Sequence, residues 1–130
     1  MAIFTVTTIT GGVYAHGTVF ELTASGSELL LYSFTGGVDG GTPVGGLWQD
    51  STGNLYGAAP FGGAEAGGVV FKVSLYGEDT VLHSFFGGAD GAEPRAALIP
   101  DGAGNLVGTT STSFQHNPLR RNGTVFRFKP

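Results

Sequence analysis

Apolar and polar residues alternate along this chain in short runs. Gly17-x-Val19-Phe20 opens one run, and Leu31-x-Ser33-Phe34 forms a second. Leu47 sits in a third, and Leu55, just after Gly53-Asn54, begins a fourth. Alternation at every second residue, bounded by Gly, Asn, Asp and Pro, marks half-buried β-strands. No long window keeps apolar residues at the i, i+3, i+4, i+7 spacing of a helix. The 24 glycines, spread evenly, disfavour helix further. The pattern predicts an all-β chain.

The pattern also repeats. Residues 17–57 return as residues 68–108 without a gap, at a constant offset of 51, and 18 of the 41 positions are identical. Self-similarity near this period points to solenoids, propellers or arrays. Each unit predicts four strands, taken as a (residues 44–50), b (54–60), c (68–74) and d (80–86) in the complete middle unit. Residues 4–10, 17–22 and 28–34 supply b, c and d of an earlier unit. Residues 96–101, 106–111 and 123–129 supply a, b and c of a later one. The turns have mechanisms. Asp50-Ser-Thr-Gly53-Asn54 and Asp101-Gly-Ala-Gly104-Asn105 place Gly and Asn where a tight hairpin needs them, and Ser25-Gly26 and Tyr76-Gly77 do the same. Gly36-Gly37-x-Asp39-Gly40 with Pro43, and Gly87-Gly88-x-Asp90-Gly91 with Pro94, predict longer crossing loops. Four antiparallel strands per unit describe the blade of a β-propeller. The chain then reads as one domain: a partial repeat (1–16), two full repeats (17–67 and 68–122) and a further partial repeat (123–130).

The phrases GTVFEL, VLHSFFGG-DG and D-GAGNLVGTT resemble the bacterial "choice-of-anchor" or Gloeobacter–Verrucomicrobia type of tandem repeat over residues 4–130. A second likeness is to NHL-type propeller repeats, in which a strand, a D-x-x-G-N turn and another strand form the inner half of a blade. The resemblance implies a propeller-like fold, and an exported or cell-surface setting. It carries no catalytic residues.

Composition narrows the reading. Charged residues make up only 12% of the chain and apolar ones 41%, which suits a sheet protein with tight turns rather than a disordered one. A net charge of −4 gives no general attraction to nucleic acid or to an anionic membrane. No apolar run is long enough to span a bilayer as a helix, no signal peptide is evident, and there are no cysteines. The charge is uneven, since residues 1–71 hold five acidic groups and no basic one. A propeller closes with about four to eight blades. Two periods plus fragments would leave open sheet edges, which are an aggregation hazard unless covered. The expectation is therefore a homo-oligomer joined head to tail, a dimer before a trimer, with the charge bias favouring that contact.

Candidate chemistry is sparse. Asp39 and Asp90 occupy equivalent loops and are weak Ca²⁺ candidates, because one carboxylate per loop falls short of the D-x-[DN]-x-[DN]-G pattern. An Asx turn explains them more simply. His16, His83 and His116 have no zinc-site spacing. Trp48 and Tyr56, where the next unit has Ile99 and Val107, join Phe61 as the set to stack on a sugar, against ordinary packing. The loop at residues 111–122, four residues longer than its counterpart at 60–67, brings His116, Arg120 and Arg121. No acid–base, nucleophile or metal constellation and no cofactor motif is evident. The sequence favours a non-catalytic binding or scaffolding module, with carbohydrate as one ligand class. The alternatives are an enzyme site in an oligomer's central channel and a structural filament element.

Overall fold

A computed structural model describes residues 2–113 and 123–130. Among them there is no helix. Three antiparallel sheets follow one another. The first holds β1 (Ala2–Thr8), β2 (Thr18–Thr23) and β3 (Glu28–Ser33), side by side in that order. The second holds β4 (Trp48–Gln49), β5 (Leu55–Ala59), β6 (Val69–Val73) and β7 (Asp79–Ser84), again in chain order. The third is built on β10 (Leu106–Thr112), flanked by β11 (Val125–Phe128) on one side. On its other side lie β8 (Ala92–Pro94) and β9 (Ile99–Pro100). The a-b-c-d order within the repeat is thus realised in the middle sheet. No closed ring forms among the described residues.

The sheets pack face on face. Val19, Leu31 and Phe34 of the first unit meet Leu55, Ala59, Val69, Phe71 and Val73 of the second. Tyr56, Val70 and Phe85 then meet Leu98 and Leu106, with Trp48, Phe126 and Phe128 packed alongside. The inner strands of the middle sheet, β5 and β6, are therefore buried on both faces. That explains why β5 and β6 lack the polar alternation of an outer sheet and read as near-continuous apolar runs. The two joints share one geometry. Phe34 meets Phe71 edge-on at 4.9 Å between centroids, and Phe85 meets Phe126 at 5.1 Å. Tyr32 stands edge-on to Phe34 at 5.1 Å, and His83 to Phe85 at 4.5 Å. A fully buried Phe contributes about 2–3 kcal/mol through area alone. Edge-on pairing adds about 1 kcal/mol more.

Close backbone approach fixes the entry to each c strand. At Gly68, φ is +95° and a Cβ would sit 2.6 Å from the Ala59 carbonyl oxygen and 2.7 Å from Pro94 Cδ. Only glycine fits there, which accounts for the Gly that opens the repeat.

Two features depart from the pattern. Strands a, expected at 44–50 and 96–101, shrink to two residues each, β4 and β9. The preceding residues bridge sheets instead. The Gly45 carbonyl accepts a hydrogen bond from Thr7 Oγ1 at 3.2 Å, and a Cβ at Gly45 would lie 2.9 Å from the backbone of Ala96. The second crossing loop contains β8, which pairs with the far end of β10. The first loop makes the same contact as a single bridge, Gly41 to Phe61.

Candidate functional site

The repeat aspartates hold turns together. Asp39 accepts hydrogen bonds from Tyr32 Oη (2.7 Å), the Thr35 amide (2.9 Å) and Thr35 Oγ1. Burial of the carboxyl opposes ionisation, but the bonds from Thr35 and Tyr32 outweigh it and hold the group below the usual carboxylate range. Asp90 accepts from the Phe86 amide (3.1 Å) and contacts His83 Nε2 at 3.1 Å. Asp50 accepts from the Thr52 and Asn54 amides, from both of those side chains, and from Tyr56 Oη. Burial again opposes ionisation, but the bonds led by Thr52 and Asn54 prevail and set its pKa at about 2. Asp101 repeats the turn through Ala103 and Asn105. The carboxylates of Asp39, Asp50 and Asp101 are acceptors already engaged by their own loops, whereas Asp90 is engaged through Oδ2 alone and its Oδ1 is buried without a hydrogen-bond partner. Among the described residues no three His, Asp or Glu side chains converge as a metal group would require.

The aromatic set divides. Trp48 and Tyr56 are cross-strand partners with ring centroids 5.5 Å apart, and Tyr56 is buried in the joint between the second and third sheets. Phe61 lies beyond the other end of β5, exposed, with the Arg95 guanidinium 5.2 Å above its ring. His116, Arg120 and Arg121 lie outside the described residues.

One group was not anticipated from the sequence. Asp79, at the start of β7, is pushed up to about 7 by burial and, next, by the charge of Asp39. Its Oδ1 is buried without a hydrogen-bond partner. Burial, then the bond to Asp39 and the charge of Asp79, raise the Tyr32 phenol far above its ordinary value. Tyr32 and Asp39 belong to the first unit and Asp79 to the second, so this acidic cluster sits on the joint. Glu28 holds the same place one repeat earlier, and an acid after a hairpin turn looks like any solvated charge in the sequence.

The sheets, the shared turn chemistry and the doubled joint define an all-β tandem-repeat protein. Residues 3–130 match the Gloeobacter/Verrucomicrobia repeat, and the chain belongs to that family. No curated protein matches it.

Proposed function

We propose that this chain is a non-catalytic scaffolding module that extends itself head to tail, the open face of its third sheet seating on the open face of the first sheet of a second copy. One observation carries the reading: each end face exposes apolar residues, and at Phe4 and Val125 the middle sheet buries the equivalent position. On the first sheet Phe4 is 58% and Leu30 53% exposed, where Leu55 of the middle sheet is fully buried in the place of Phe4. On the third sheet Val125 is 76% and Ile99 65% exposed, where the middle sheet has buried Val70 and half-buried Trp48. Glu28 lies on the first of these faces and Arg127 on the second, so the pairing is also complementary in charge. The contact joins two different surfaces. It therefore closes into a propeller-like ring or runs on as a filament.

Sedimentation velocity from about 1 to 100 µM tests this, with Leu30→Asp and Val125→Asp variants. The wild type self-associates and each variant alone is monomeric. A one-to-one mixture of the two forms a dimer and nothing larger, because one sound face remains on each chain. A wild type that stays monomeric throughout, with a cooperative melt, refutes the reading.

A further inference from the structure

Among the described residues, the third sheet leaves one strand position unfilled. In the middle sheet the outer edge of β6 is paired with β7, in the register Val73 to Asp79, Phe71 to Val81 and Val69 to Ser84. At the same place in the third sheet, β11 pairs with β10 and, among the described residues, with no strand on its other edge. A cavity of about 290 Å³ lies along that edge. Leu82 and Phe85 form one wall, Phe126 and Phe128 the other, and His83 and Asp90 stand beside them.

Each of these residues has a counterpart one repeat earlier, where β7 fills the space. Leu31 and Phe34 correspond to Leu82 and Phe85, Phe71 and Val73 to Phe126 and Phe128, and Tyr32 and Asp39 to His83 and Asp90. The first member of that joint is sealed: Leu31, Phe71 and Val73 are all buried. The second is not, for Leu82, Phe126 and Phe128 are only half-buried. Asp79 starts β7 opposite Val73, where it feels the charge of Asp39, and this register sets where a seated strand begins.

We propose that the outer edge of β11 and its cavity form an acceptor groove for one extended segment, a d-type β-strand of another repeat of this kind. The chain states the occupant's chemistry twice. Residues 28–34 read ELLLYSF and residues 79–85 read DTVLHSF, so the strand carries an acid, an aliphatic residue two positions on, then Leu-x-Ser-Phe. Antiparallel pairing supplies backbone hydrogen bonds along that edge of β11, and side chains at alternate positions supply selection. Carried over from β6–β7, the register sets the acid opposite Phe128 beside His83, and the aliphatic residue opposite Phe126. This groove is an edge, distinct from the end faces, and it holds whether or not those faces pair.

The test uses the whole chain with a synthetic peptide of residues 26–36, GSELLLYSFTG. Heteronuclear NMR follows the titration on isotope-labelled protein. Saturable one-to-one binding is expected, with the largest amide shifts at residues 125–128 and at His83. The outward amides of β11 should exchange with deuterium at least tenfold more slowly. A peptide with Leu30→Asp, or a scrambled peptide of equal composition, should lose the effect. No shift at millimolar peptide, equal shifts with the scrambled peptide, or shifts centred on β1 would each overturn the proposal. Sedimentation without peptide reads the end faces separately, so failure of one idea is distinguishable from failure of the other.

Discussion

At the scale of single residues, the acids of this chain do opposite things. Asp39 and Asp50 are stabilised as carboxylates by their loops, whereas Asp79 is kept from ionising by burial and by Asp39. The consequence for pH has a definite sign. Asp79 holds its proton more tightly in the folded state, up to about 7, than in an unfolded chain near 4. Between those values the native state binds more protons, so this group lowers stability as pH rises. Its contribution is favourable below about pH 4 and gone above about pH 7. An Asp79→Asn variant should melt higher than wild type at pH 8 and should differ little from it at pH 4. Calorimetry across that range checks this, and a melting difference independent of pH would count against a buried, repelled carboxylate. Nothing in the residue pattern announces this behaviour. Asp79 follows Gly77-Glu78 as a turn-flanking acid would, and only the joint brings Tyr32 and Asp39 of the preceding unit beside it.

At the scale of elements, the turns and strand order were legible because they are local. The Asp50 and Asp101 hairpins close as their sequences require, with the Asp amide bonded to the Asn54 and Asn105 carbonyls at 3.0 Å. The Gly26 and Gly77 amides close the other pair, each at 3.0 Å. The a strands were overestimated because Leu47 and Leu98 read as strand residues, whereas the backbone before β4 bonds to Thr7 of the neighbouring sheet through Gly45, and Ala96 before β9 packs closely against that same glycine. β8 escaped notice because a segment holding Gly91 and Pro94 reads as loop, and its pairing is with a strand 16 residues further on. Glycines separate by role in the same way. Gly68→Ala should cost about 2–4 kcal/mol, from its left-handed backbone and the contacts with Ala59 and Pro94. Gly102→Ala, also at positive φ but in open space, should cost only about 1–2 kcal/mol. Urea titrations of both variants check the ranking. Equal losses would mean that the approach at Gly68 is not tight.

At the scale of the whole molecule, stability should be graded along the stack. The middle sheet is covered on both faces and the outer two on one, so local opening is easiest at the ends. Hydrogen exchange should protect β5 and β6 most strongly and release β1 and β11 first. Uniform protection across all three sheets would contradict this ordering. Which face of a sheet meets which neighbour could not be read from period-two alternation, since alternation separates the two sides of a strand without naming what covers either. The equivalence of the joints, with Phe34 on Phe71 and Phe85 on Phe126, carries a consequence for ancestry. If one fixed rotation and translation takes each unit to the next, a gene that duplicates or deletes a whole 51-residue period creates no misfit at the splice. Copy number in such a lineage can drift freely, while other changes of length are confined to loops, as with the four extra residues of 111–122, across which Phe85 still meets Phe126.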